Sequence, residues 1–145
     1  MSRRRAREAA MQALFQLDMN VPLPGDENAA IAALEAAWQN GTEKKGKDGV
    51  SKPDESFALA LVRGTREKLL EIDREIAGQS KRWKLSRMPG IDRSILRLAI
   101  YELRFLPEAR PGIVINEAVE LAKRFSTDES SRFINGILGA LVGNK

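Results

Sequence analysis

The stretch from Pro89 to Pro107 constrains this chain more than any other. Wound at the helical repeat, Ile91, Ile95, Leu96, Leu98, Ala99, Ile100, Leu103, Phe105 and Leu106 cover well over half of a helix's circumference. A surface helix needs one apolar stripe, so a helix this broadly apolar has to be surrounded. Pro89 and Gly90 stop whatever comes before it, and Pro107 forbids continuation past Leu106. The chain must therefore supply other amphipathic elements to cover one central helix.

The same periodicity supplies them. From Ser2 to about Asn20, Ala10, Met11, Leu14, Phe15 and Leu17 fall at helical spacing, with Ser2 as the N-cap. The run Val21 to Asp26 breaks this helix, and Asp26 caps a second one that carries Ala30, Ala33, Leu34, Ala37 and Trp38 and closes at Gly41. Thr42 to Pro53 is lysine-rich with Val50 as its one apolar residue, too little burial to repay its ordering, and is expected to be a loop. A third helix is expected over about Asp54 to Ala77, with Phe57, Leu61, Leu69, Ile72 and Ile76 inward and Gly78 closing it. Ser80 to Met88 reads as one or two basic turns around Trp83 and Leu85. Beyond the central helix, Val114, Ala118, Leu121, Ala122 and Phe125 mark a helix over Ile113 to Phe125. Ser126 to Glu129 reads as a capping box, Ser126 accepting from the Glu129 backbone, and it opens a last helix with Ile134, Ile137, Leu138 and Leu141 inward. No stretch alternates as a strand does, so the fold class is all-α.

At 145 residues the chain is expected to form one domain with a real core. It contains no cysteine and no histidine, which removes disulfides, thiolate chemistry, the usual zinc sets and the commonest general base. Its net charge of +4 fits a polyanionic partner without deciding which. No apolar run has the length of a membrane span, and the arginine-rich start lacks the apolar segment of a secretory signal, so a cytoplasmic location is expected.

Charge is most concentrated at Arg3, Arg4, Arg5 and Arg7. Four arginines in the first two turns oppose the helix dipole and repel one another, so they do not help the helix form. Following the row Leu17, Leu14, Ala10 backwards leads to Arg7 and Arg3, so this end is expected to overhang the packed body and to suit phosphate. A merely solubilising start is the other reading, and the terminus alone does not choose between them. Near the other end Lys123, Arg124, Arg132 and Phe133 surround the capped turn. Phe133 lies roughly 100° off the centre of its stripe, placing it either at the core's edge or half exposed for stacking on a base.

On the central helix, Arg93, Arg97 and Arg104 share a narrow face with Tyr101 and read as its solvated side. Asp92 and Glu102 project into the apolar sector instead; Asp92 suits the positive end of the dipole, whereas Glu102 needs a partner or an exposed position. They lie about 15 Å apart along the helix, too far to act on one bond or one metal. With no phosphate-binding glycine loop and no dinucleotide fingerprint, no catalytic residue, cofactor or metal is expected.

Several segments together resemble the NusB family of bacterial transcription antitermination factors. They are Arg3 to Glu8 with Gln12 to Phe15, Ile91 to Leu103, Val114 to Lys123, and Arg132 to Leu138. The resemblance implies about seven helices in two small packed bundles, about 1–77 and 80–145. It implies a non-enzymatic factor that binds single-stranded boxA RNA of ribosomal RNA leader transcripts together with ribosomal protein S10, also called NusE. The pair joins other Nus factors and RNA polymerase, and a homodimer is possible when S10 is absent. By the same resemblance Arg3, Arg4, Arg5, Arg7, Glu129, Arg132 and Phe133 contact RNA, and Phe15 and Asp92 meet S10. The family's common Pro-Tyr-Lys is replaced here by Arg110, Pro111 and Gly112, so contacts made by that Tyr or Lys do not carry over. The alternative is a stand-alone accessory module related to the N-terminal domain of ribosomal RNA cytosine methyltransferases.

Overall fold

A computed structural model describes residues 3–20, 27–40, 52–80 and 84–143. The expected caps at Ser2 and Asp26, the closing Gly41, most of the lysine-rich loop and the turn at Trp83 lie outside these residues. Seven α-helices are described: α1 (Arg3–Asn20), α2 (Glu27–Asn40), α3 (Lys52–Glu67), α4 (Leu69–Gln79), α5 (Gly90–Phe105), α6 (Pro111–Phe125) and α7 (Asp128–Gly143). A single 3-10 turn, Leu85–Arg87, precedes α5. The described residues contain no strand, and they divide into two compact units at Lys68.

In the first unit α1 packs against both α2 and α3. Its contact faces are built from very small side chains, since Ala6, Ala9, Ala10 and Ala13 are completely buried. Alanines there let the helix backbones approach closely, and Met11, Leu61 and Val62 fill the remaining space. α3 starts two residues earlier than expected, with Pro53 in its first turn, where its missing N–H costs no hydrogen bond.

The single helix expected over Asp54 to Ala77 is instead two. Lys68 leaves helical geometry at φ −100° and ψ 17°, and α4 begins after it with no side-chain cap. Ile72 N still donates to Lys68 O at 3.0 Å, so helical hydrogen bonding resumes directly after Lys68. The apolar residues Leu61, Leu69, Ile72 and Ile76 run through the break at helical spacing, which is why periodicity gives no sign of it. The break comes from packing, with α3 serving the first unit and α4 the second.

The second unit is organised on α5, which packs against α4, α6 and α7. Ile95, Leu96 and Ile100 are fully enclosed, each worth about 1.5–3 kcal/mol of transfer free energy. The arginine strip on α5 is not simply solvated. Arg93 donates to the carbonyls of Leu85 and Met88 at 3.0 and 3.2 Å. Arg97 forms a bidentate pair with Asp73 of α4, both bonds at 2.9 Å, and Arg104 bonds Glu75 of α4 at 2.7 Å. Long side chains carry these heads across to neighbouring elements that sequence spacing does not reveal.

Candidate nucleic-acid interface

The four N-terminal arginines fall into different environments. Arg5 is 2% exposed. Its guanidinium pairs with Glu8 at 3.1 Å, donates to the carbonyls of Ala37 and Trp38 at 3.0 and 3.2 Å, and lies 5.0 Å from the Trp38 ring centroid. Those carbonyls belong to the last turn of α2, whose end lacks internal donors and carries partial negative charge, so Arg5 serves as a buried cap. Arg5 was expected to overhang the body and meet RNA; it is instead buried, with both terminal guanidinium nitrogens bonded inside the first unit.

The others keep contact with solvent. Arg3 lies 4.1 Å from the Phe57 ring centroid, donates to Pro53 O at 3.3 Å and stands 3.9 Å from Asp54, while its side chain remains 53% exposed. Arg7 approaches the same ring at 5.4 Å. The start of α1 is thus held against the first turn of α3, with two guanidinium groups near the Phe57 ring, and does not overhang freely. Aromatic faces hold cations without consuming their hydrogen-bond donors, and more than half of the Arg3 side chain stays open to solvent. Arg4 is exposed. Phe15 is half-buried further along α1, and Met19, one turn on, is 66% exposed.

In the second unit Glu129, Arg132 and Phe133 lie in the first two turns of α7. Glu129 and Arg132 are exposed, Phe133 is half-buried, and Arg132 has no hydrogen bond or ion pair among the described residues. The helix is capped one residue later than expected. Ser130 N donates to Thr127 Oγ1 at 3.0 Å, so Thr127 is the N-cap, and Ser126 is released for another task.

That task is Asp92. Its carboxylate is fully buried, accepting from Ser126 Oγ and from Ser130 Oγ, each at 2.6 Å. The Thr127 hydroxyl donates to Ser130 Oγ at 3.1 Å, extending the chain of bonds. Charge-assisted bonds this short are the strong kind, and each donor polarises the next. Asp92 was expected to meet S10, but both its oxygens are occupied inside the fold. It ties the start of α5 to the turn that leads into Glu129, Arg132 and Phe133. The bonds of Ser126 and Ser130 to Asp92 and the cation contacts of Phe57 had no signal in the sequence, because the partners lie 34, 38 and 50 or more residues away.

Among the described residues no group of three or more metal-binding side chains gathers, and no helix is long and apolar enough to cross a membrane. The geometry is that of a small all-helical protein that displays arginine and aromatic side chains at two helix starts. Residues 4–142 match the NusB family model, and the chain belongs to the NusB family. It is 44% identical to the transcription antitermination protein NusB of Pelotomaculum thermopropionicum, over 98% of this chain and 90% of that protein. The same protein of Myxococcus xanthus is 44% identical over 94% of this chain and 91% of its own length. The solved structure of T. maritima NusB superposes with a TM-score of 0.80 at 34% identity, covering 97% of this chain and 89% of that one. A structure of antitermination factors NusB and NusE with double-stranded RNA also gives 0.80, at 26% identity, covering 99% of this chain and 97% of that one.

Proposed function

We propose that this chain is a non-enzymatic, cytoplasmic transcription antitermination factor that binds boxA RNA of ribosomal RNA leader transcripts together with ribosomal protein S10 (NusE). The observation that carries the reading is the family match across residues 4–142, with relatives named as antitermination proteins and a relative solved with NusE and RNA. Together the pair joins other Nus factors and RNA polymerase.

For RNA, Arg3, Arg4 and Arg7 of the first unit contribute phosphate contacts, Arg3 and Arg7 oriented by Phe57. In the second unit Arg132 neutralises phosphate, Phe133 offers a ring edge for an unpaired base, and Glu129 accepts from a base amino group. Arg5 acts behind this set as a structural cap, and Asp92 fixes the turn that carries the second group. For S10, the exposed face of α1 around Phe15 and Met19 is the apolar surface offered. No observation favours the methyltransferase-accessory alternative.

The test is a titration of fluorescently labelled boxA RNA with this protein alone and then with S10, at one stated salt concentration. Tighter binding to boxA than to a scrambled RNA, strengthened by S10, is expected. Equal binding to both sequences in the presence of S10 sinks the reading. Light scattering with and without S10 gives the partner arm: a homodimer that neither dissociates nor takes up S10 contradicts the pairing.

A further inference from the structure

We propose that the groove between α2 and α3 is a second docking site, taking a short segment of a partner protein that alternates apolar and basic side chains. The groove encloses about 310 Å³, the lower end of the range for built binding pockets. Ile31, Leu34 and Trp38 of α2 and Leu59 of α3 give it an apolar lining, and Ile31 is 38% exposed there. Glu35 and Glu55 lie on the same lining, one from each helix. Both are exposed, and neither has an ion-pair partner among the described residues. In a chain of net charge +4, two unpaired carboxylates beside an open apolar cleft select a cationic occupant and repel phosphate, which separates this groove from the RNA-facing arginines.

A second observation points the same way. Trp38 is 3% exposed, yet its indole N–H has no acceptor among the described residues. Buried donors are nearly always paired, so this covered N–H gains an acceptor when the Trp38 ring turns toward an occupant seated in the cleft. An extended segment has a backbone carbonyl to offer it, apolar side chains for Leu34 and Leu59, and lysine or arginine heads for the two glutamates. A nucleic acid has the acceptors but the wrong charge. A short peptide combines all three.

The experiment uses the full chain with Trp83→Phe, which leaves Trp38 as the sole tryptophan reporter. A capped six-residue peptide alternating leucine and lysine is titrated at fixed ionic strength. Trp38 emission is expected to change saturably, with a dissociation constant on the order of 0.1–1 mM for so short a probe. The Glu35→Gln, Glu55→Gln double variant is expected to weaken binding about tenfold, since it removes both charge-assisted contacts. Both positions are exposed, so circular dichroism should be unchanged; Glu35→Gln alone serves if the double variant is not folded. A peptide with glutamate in place of lysine should give no saturable change. The proposal is overturned by the absence of a saturable response, by equal binding of the acidic peptide, by unchanged affinity in the glutamine variants, or by displacement of the peptide by an RNA oligonucleotide. Self-association of the protein in place of peptide binding overturns it equally.

Discussion

Arg4 and Arg5 are neighbours in sequence and opposites in environment, and the difference decides what each substitution does. Removing the Arg5 head breaks the buried ion pair with Glu8, which is 1% exposed, and strips a cap from α2. Arg5→Met keeps the stem, so what is lost is the pairing; destabilisation of about 3–5 kcal/mol is expected in urea unfolding. A loss under about 1 kcal/mol would show that the pair is not holding α1 to α2. Arg4→Ala should change stability by no more than about 0.5 kcal/mol and act on RNA affinity instead. Nothing in the local sequence separates the two residues. Both follow Arg3 in an unbroken run, and burial of Arg5 depends on carbonyls 32 and 33 residues away.

At the scale of elements, α5 was the most legible part of the chain and its polar residues were the least. Its length and apolar breadth follow from Pro89, Gly90, Pro107 and the spacing of Ile95, Leu96 and Ile100, because a buried helix records its surroundings on every face. Ile100→Ala should therefore cost about 2–5 kcal/mol, since the enclosed site has little room to collapse; a loss below about 1 kcal/mol by thermal or urea unfolding would mean that the site relaxes freely. Asp92 illustrates the other side. Its place in the first turn is accounted for by the helix dipole alone, so the sequence gives no cause to look for Ser126 and Ser130. Their bonds join α5 to the α6–α7 turn, and Asp92→Ala leaves two hydroxyls without their acceptor. The expected result is local: faster amide exchange at residues 126–132 while α4 keeps its protection, with boxA affinity falling as Arg132 and Phe133 lose a fixed base. Uniform loss of protection across the second unit, with RNA affinity preserved, would reassign Asp92 to stability alone.

On the scale of the whole molecule, the all-helical class was readable because no stretch alternates, while the division at Lys68 was not. Residues 61 to 76 keep one helical phase through the break, and only the packing of α3 and α4 in separate units distinguishes them. The RNA-binding groups were read as one arginine-rich start and one capped turn; among those arginines Arg5 is buried, whereas Arg3, Arg4, Arg7 and Arg132 have exposed or half-exposed side chains. Each phosphate neutralised on a single strand contributes about −0.7 to the slope of log affinity against log salt. If Arg4 and Arg132 each hold one phosphate, the double substitution to Ala flattens the slope by about 1.4, and each single substitution accounts for about half of it. Arg5→Met, measured on folded protein, should leave the slope unchanged, because a buried cation has no counterion to release. The comparison is internal to one protein and one RNA, so it does not depend on absolute affinity. A slope that responds to Arg5 but not to Arg4 or Arg132 would reverse the assignment of which arginines face the RNA.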